Sequence, residues 1–143
     1  VRVLGDGANF GDLVVTAGGR VTLPYACTKA TVGYPIRTII EPEDLEGGVR
    51  VGTSQSRQKR ISEIFVRLHN SLGGTYGRTE DDQTNMLYRT VADEMDASPG
   101  LFSGLVRCEN PAGWDREAII RLEHDDPFQF FVTGIVAELN TTG

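Results

Sequence analysis

The sequence lacks several features that would assign a chain to a class. No apolar run approaches the ~20 residues that cross a bilayer, and no basic start precedes an apolar stretch, so we predict neither a membrane span nor a signal peptide. Cysteine is scarce: the only two, Cys27 and Cys108, form no CxxC pair, which argues against a zinc site or a redox motif. We expect two buried free thiols, because free cysteine behaves as a small apolar residue, and we leave a disulfide open.

Lysine is also scarce, and positive charge is in the minority. The chain has 14 Lys and Arg against 20 Asp and Glu, a net charge of −6, and its lysines are Lys29 and Lys59 alone. An acidic domain lacks the long-range attraction that steers nucleic acid, so we expect no specific nucleic-acid partner. The basic stretch of Arg57, Lys59 and Arg60 is better explained by a solvated loop or a subunit contact. Arginine tolerates packed interfaces better than lysine, which favours a chain that packs against other protein.

Signatures of catalysis are missing as well. There is no GxSxG nucleophile elbow, and the glycines at 5 and 7 are followed by neither the lysine nor the helix of a phosphate-binding loop. The acidic stretches 80–82 and 124–126 lack calcium-loop spacing, so solvated turns explain them better than cation sites. We therefore predict no enzyme, no catalytic, cofactor-binding or metal-binding residue, and no cofactor. The lowest-ranked alternative is a β-rich hydrolase, which would need a histidine or an acid pair with a shifted pKa in a pocket.

What the sequence does contain is a series of short β-branched segments separated by glycine and proline. Many short strands with a turn every ten or so residues predict an all-β fold, an antiparallel β-sandwich or barrel-like domain with about eight to ten short strands and little helix. Residues 1–143 are expected to form a single domain. Loops are predicted at 53–59 and 78–85, and at most one helical turn at 90–98. The predicted strands are 1–4, 13–16, 20–23, 28–34, 36–40, 60–70, 101–108, 118–123 and 128–139, with a turn and short strand at 71–77 and a further short segment at 85–89.

Two of these segments decide how the sheets are arranged. Segment 60–70 has apolar residues at both helical and strand spacing; its β-branched content and β-rich surroundings favour a strand with His69 on its polar face. Segment 128–139 is apolar on both of its faces, which predicts a central strand, either between two layers or between the domain and a partner. Its two predicted faces are Phe128, Phe130 and Val132 on one side, and Phe131, Ile135 and Leu139 on the other.

Several short motifs follow one another along most of residues 1–139. In chain order they are Asp6-Gly7-Ala8, Gly19-x-Val21-Thr22-Leu23, Ala30-x-Val32-Gly33-Tyr34-Pro35, Ser56-Arg57-Gln58-Lys59-Arg60-Ile61-Ser62, Val66-Arg67-Leu68, Ser71-Leu72-Gly73-Gly74, Pro111-Ala112-Gly113-Trp114-Asp115-Arg116 and Asp126-Pro127-Phe128. Together these motifs resemble the C-terminal region of the tail nozzle, or tail tubular protein B-like, family of short-tailed phages and prophages.

The resemblance implies a virion structural protein without catalytic activity. Members of the family form a ring at the distal end of the tail tube and contact the adaptor ring and the tail fibres, while DNA passes through the centre. The resemblance therefore implies self-association and a place in the virion tail, after assembly in the host cytoplasm. The chain begins without Met and already in strand-like alternation, so we interpret it as a C-terminal piece of a longer polypeptide. A contact role predicts a partly exposed apolar patch with arginine near its rim.

The alternative is a carbohydrate-binding β-sandwich module that recognises host-surface glycans. Trp114, Tyr76 and Tyr88 are the aromatic residues that we expect to stack on sugar rings in that case. The alternative predicts at least two aromatic side chains side by side in an open groove, with acids nearby. A structural explanation competes with it, in which Trp114 closes the core after the turn at 110–113.

Overall fold

The described residues form ten strands, all of which pair antiparallel. The computed structural model describes residues 1–46, 54, 57–88, 98–109 and 113–142, and these residues contain no helix, hence none that is long and apolar enough to cross a membrane. The predicted all-β antiparallel fold is therefore confirmed. The strands are β1 (Arg2–Gly5), β2 (Ala8–Asp12), β3 (Ala30–Gly33), β4 (Thr38–Ile40), β5 (Lys59–Ser71), β6 (Thr75–Gly77), β7 (Gln83–Asn85), β8 (Phe102–Glu109), β9 (Arg121–His124) and β10 (Val132–Thr141).

The strands form three sheets. The N-terminal sheet has the order β2-β1-β3, the long-strand sheet the order β10-β5-β8, and the four-stranded sheet the order β4-β9-β6-β7. The long-strand sheet holds the longest elements, and its central strand β5 pairs with β10 on one side and β8 on the other. This sheet therefore contains the longest runs of strand pairing among the described residues.

Strand β5 explains why segment 60–70 is a strand and not a helix. Ile64, Val66 and Leu68 alternate with Glu63 and Arg67, and only the apolar set is buried. A period of two puts those three side chains on one face, where they meet a second layer. The strand assignment is confirmed, and His69 is exposed as predicted.

The core lies between the long-strand sheet and the four-stranded sheet, so the architecture is sandwich-like. Leu122 of β9 and Tyr76 of β6 belong to the same apolar cluster as the inward side chains of β5. Inward residues of β8 and β10 extend the cluster, which gives each sheet one buried face. The fully buried members are Ile61, Ile64, Val66, Leu68, Met86, Val106, Cys108, Ala118, Ile120 and Leu122.

The prediction for the last strand is wrong in two respects. Strand β10 is the edge of its sheet and not a central strand. The register with β5 shifts between Val132 and Gly134, so Val132 packs against the core together with Ile135, whereas Phe131 is exposed. A β-bulge changes which side chains share a face, and a strict alternation cannot anticipate it. The second apolar face of β10 is therefore open in this chain.

The first hairpin also differs from the prediction. Strands were expected at 13–16 and 20–23, but the chain forms the hairpin earlier, between β1 and β2. Asp6 and Gly7 both have positive φ values, 47° and 83°, which suit the tight two-residue turn. The predicted turn at 17–19 is present, closed by the Thr16 amide donating to the Arg20 carbonyl, without flanking strands.

Three further differences concern polar or partly described segments. The predicted loop at 78–85 contains β7, whose Gln83, Thr84 and Asn85 carry no apolar signal. The predicted loop at 53–59 ends inside β5, where Lys59 is buried. The predicted helical turn at 90–98 and the turn at 110–113 lie almost wholly outside the described residues.

Candidate functional site

The outer face of the long-strand sheet is the surface that the core leaves free. Because antiparallel partners share a face, the register fixes three rows across β10, β5 and β8. The same alternation that buries Ile64 and Val66 turns these rows outward. The rows are Glu138–Glu63–Glu109, Val136–Phe65–Arg107 and Gly134–Arg67–Leu105.

Large apolar side chains are exposed on this outer face. Val136 of β10 is 61% exposed and Leu105 of β8 is 49% exposed, with the half-buried Phe65 in the strand between them. Phe131, which immediately precedes β10, is 56% exposed. Apolar side chains grouped around an open sheet are typical of surfaces that contact another protein. In the described part of the chain three exposed large apolar side chains therefore lie on or beside this outer face.

Charged side chains stand among these apolar ones. Arg107 donates to the Glu63 carboxylate, and this hydrogen bond holds the pKa of Glu63 below its ordinary value against the opposing effect of desolvation. Within the described residues, the guanidinium of Arg67 and the carboxylate of Glu138 make no ion pair or hydrogen bond. Arg107 also lies 3.9 Å from the Glu109 carboxylate. The three rows therefore hold two ion pairs, both made by Arg107, while Arg67 and Glu138 form none with any described residue.

A cleft between the N-terminal and four-stranded sheets is the second open feature. It has a volume of about 400 Å³ and is lined by Tyr34, Ile36, Phe128, Arg2, Asp125 and Asp126, among others. Tyr34 is 86% exposed, so its ring is available to a ligand. We call this the Tyr34 cleft. It places one exposed aromatic ring in the same lining as two carboxylates, whereas the glycan alternative predicts two aromatic rings side by side.

The aromatic residues expected to bind sugar do not form a platform. Tyr76 packs against the core, and Tyr88 packs on Phe102 while its hydroxyl donates to the Gly73 carbonyl at 2.6 Å. Trp114 is 47% exposed and lies outside the core cluster, so the expectation that it closes the core is wrong. The structure does not bring these three side chains together.

An ion-pair network crosses the four-stranded sheet. Glu123 of β9 is nearly buried and accepts from Arg37 at 2.6 Å and from Arg121. Arg37 also reaches Glu80 at 2.9 Å, and Arg121 reaches Glu41 at 3.0 Å. The hydrogen bonds from the two arginines hold the pKa of Glu123 below its ordinary value. Of the three acids in this network only Glu80 belongs to a stretch predicted as a solvated turn, and it lies exposed in a bend. Because the charges of the network neutralise one another, they indicate a structural role.

His124 is buried and does not belong to a solvated turn, contrary to the prediction. Its ring stacks on Phe130 with centroids 4.6 Å apart, and Nε2 lies 3.2 Å from the Leu72 carbonyl. Desolvation lowers the pKa of this imidazole despite the neighbouring Asp125 and Asp126. Among the described residues no group of three or more histidine, cysteine and acidic side chains is arranged to hold a metal ion.

The basic stretch does not form a continuous basic surface. The Lys59 side chain is fully buried and pairs with Asp44, whose other oxygen accepts from the Ala118 amide at 2.7 Å. Desolvation works to raise the pKa of Asp44, but the hydrogen bonds from Lys59 and Ala118 outweigh it and lower this pKa. Arg57 instead donates to the Thr142 carbonyl. The Lys59–Asp44 ion pair links segment 41–46 to the start of β5.

Both cysteines are free. Cys108 is fully buried, as predicted, and burial raises the pKa of its thiol to about 11. Cys27 is only half-buried and lies against Gly5 in the N-terminal sheet.

Comparison with known proteins adds no assignment. No protein-family model matches the chain, and no curated protein is significantly similar to it. The candidate site is therefore defined by geometry alone. Nothing in the sequence singles out Arg67 and Glu138, because the neighbours of a charged residue across a sheet are fixed only by the register.

Proposed function

We propose that this chain is a structural domain of a phage tail nozzle or tail tube protein, which contacts neighbouring tail subunits and catalyses no reaction. The observation that carries the contact role is the outer face of the long-strand sheet, where Val136 and Leu105 are exposed next to Arg67 and Arg107. Exposed apolar side chains with arginine among them have the composition of a protein–protein contact. The virion tail as its location rests on the ordered motifs of the sequence.

The chemistry of the other features is consistent with this proposal. Glu123, Asp44 and Glu63 are engaged by cationic partners, and His124 is stacked and desolvated. Charges that neutralise one another stabilise a scaffold, but they leave no free acid or base next to a substrate. These four groups therefore support a structural domain better than a hydrolase.

The test is photo-crosslinking in the whole protein as it occurs in the phage particle. A photoreactive residue placed at Leu105, which is exposed on β8, should react with another tail protein after assembly and not in the free chain. The matched control is Thr84, an exposed position on β7 of the opposite sheet. Crosslinking to water alone at Leu105 in the assembled particle, or absence of the chain from the particle, would contradict the proposal.

A second candidate function is recognition of a host glycan, and the Tyr34 cleft is the observation that favours it. Tyr34 offers an exposed ring beside Asp125 and Asp126, a combination that binds sugars through stacking and hydrogen bonds. Glycan-array binding that Tyr34→Ala abolishes, while the similarly exposed Tyr25→Ala control retains it, would support this function. An array without signal would remove it.

A further inference from the structure

The long-strand sheet ends in two open edges, β10 on one side and β8 on the other. Within the described residues no further strand pairs with either edge. Neither strand contains lysine or proline, the residues that commonly protect an edge strand from pairing. Both edges therefore offer free backbone donors and acceptors to a strand of another molecule.

The two edge strands run in the same direction. Each of them pairs antiparallel with β5, so β8 and β10 are parallel to each other. A second copy that is rotated about an axis along the strands keeps both the strand direction and the outward face. Its β10 can therefore pair in parallel with β8 of the first copy, with outward side chains beside outward side chains. No two-fold axis relates the two copies, because the contact joins two different edges.

The side chains of the outer face select one register for this parallel pair. If the rows of one copy continued straight into the next, Glu138 of β10 would lie beside Glu109 of β8, which is a like-charge pair. A stagger of two residues instead places Glu138 beside Arg107. The same stagger places Val136 beside Leu105, so that two exposed apolar side chains cover each other. The opposite stagger would put Val136 beside the charged Glu109.

The remaining positions fit the same register. Gly134 lies beside the small Ser103, and the Asn140 amide lies where it can donate to the Glu109 carboxylate. The core-facing residues of the two strands are apolar or small and meet one another in the pairs Ile135–Gly104, Ala137–Val106 and Leu139–Cys108. A stagger between strands is also what a sheet needs in order to close around an axis.

We infer that β10 of one copy of this chain pairs in parallel with β8 of the next copy, with Glu138 beside Arg107 and Val136 beside Leu105. The contact rests on the proposed function and deepens it, because it identifies the neighbouring tail subunit as a second copy of this chain. Each copy uses one edge toward each neighbour, so the contact is heterologous and forms a ring where the repeated rotation closes.

The test is disulfide crosslinking of the whole protein in the assembled phage particle, with Cys27→Ala as background because Cys27 is the more exposed of the two thiols. Neighbouring strands lie about 4.8 Å apart, within reach of a disulfide, whereas positions 105 and 136 of one chain are two strand spacings apart, more than ~9 Å. Leu105→Cys together with Val136→Cys should therefore give a ladder of dimers, trimers and larger species on a non-reducing gel. Either substitution alone should give none.

Two control pairs test the register. Leu105→Cys with Glu138→Cys places the thiols on a diagonal of about 8 Å between Cα atoms, which is too long for a disulfide. Leu105→Cys with Val14→Cys uses an exposed valine outside the three sheets. Neither pair should form the ladder.

Charge reversal tests the ionic contact in the chain that carries both cysteines. Glu138→Arg and Arg107→Glu should each reduce the crosslinked fraction about tenfold, because each places like charges side by side at every junction between copies. The two reversals made together should restore the ladder, since they exchange the charges and keep the pair.

Absence of the ladder, dimers formed by Val136→Cys alone, a ladder from either control pair, or a ladder that charge reversal leaves unchanged would overturn this inference. So would a photo-crosslink from position 105 to a tail protein of different sequence, which would still support the proposed function. Absence of the chain from the particle contradicts the proposed function itself, so the two failures are distinguishable.

Discussion

Asp44→Asn should destabilise the fold more than Lys59→Met, although each removes the same ion pair. The Lys59 side chain is fully buried, whereas the side chain of Asp44 is 36% exposed. Asparagine at position 44 can still accept the Ala118 amide, so this substitution removes the charge and little else. It leaves a buried ammonium group without a counter-charge. Methionine at position 59 instead fills the same space without a charge, and the remaining carboxylate reaches water.

The expected change in the free energy of unfolding follows from the exposed fractions of the two side chains. Removing one partner of a buried ion pair typically costs about 3–5 kcal/mol, and the partial exposure of Asp44 places this case near about 3 kcal/mol. Replacing a buried charge by an apolar side chain of similar volume is often close to neutral, so Lys59→Met should change the free energy of unfolding by less than about 1 kcal/mol. The double variant should recover most of the loss.

Urea unfolding followed by tryptophan fluorescence measures this difference, since Trp114 is the single tryptophan. With a slope of about 2 kcal/mol per molar urea, Asp44→Asn should lower the midpoint by roughly 1.5 M, whereas Lys59→Met should leave it nearly unchanged. Equal losses in the two variants, or a loss below about 0.5 kcal/mol in Asp44→Asn, would show that the Lys59 ammonium is not isolated from water and would refute the reasoning.

Three further predictions concern the core, the thiols and acid stability. Ile64→Ala, at a core position that is 1% exposed, should lower the free energy of unfolding by about 2–5 kcal/mol in urea, while Val136→Ala on the outer face should change it by less than about 0.5 kcal/mol. Cys108 should resist maleimide at pH 8 and react only on unfolding, because it is buried and its pKa is raised to about 11; labelling detected by mass spectrometry in the native chain would contradict this. The pKa of Glu123 is lowered in the folded chain, so its ion pairs stabilise the fold above the ordinary pKa and are lost as the pH falls through the folded pKa. Glu123→Gln should therefore reduce the decrease in unfolding free energy between about pH 5 and pH 2. A pH dependence equal to that of the wild type would count against the network.

The strands that the sequence predicts are those in which apolar and polar residues alternate along the strand itself. Segment 60–70 alternates between apolar and polar residues, and the structure confirms a strand with its apolar face buried. Segment 101–108 behaves in the same way, with Val106 and Cys108 turned inward. Alternation is a property of neighbouring residues, so it can be evaluated without knowledge of the fold.

Features that depend on distant residues were not predictable in this way. Lys59 is buried because Asp44 lies beside it, and Glu123 is neutralised by Arg37, which is 86 residues away in the chain. Strand β7 has a polar sequence and forms only because β6 offers it an edge. In each case the decisive partner is far away or carries no pattern of its own.

The edge position of β10 shows the same limit for the candidate site. Two apolar faces indicate that a strand is covered on both sides, but they do not say whether the cover is a layer of the same chain or a second molecule. In this chain the outward face with Val136 is open. The pattern therefore predicts a central strand, whereas the structure places β10 at the edge of its sheet. Only the register shows that Glu138 lies opposite Glu63 and that Arg67 lies opposite Gly134, so neither faces a charge of opposite sign on that neighbouring strand.

The most direct test of the proposed contact role is electron cryo-microscopy of a phage particle that encodes this chain, in whose tail we propose it is located. The account predicts ordered density for the domain in the tail, with protein of a neighbouring subunit covering Val136 and Leu105. If the domain is located in the tail but its outer face is exposed to solvent in every copy, the proposed contact role is wrong.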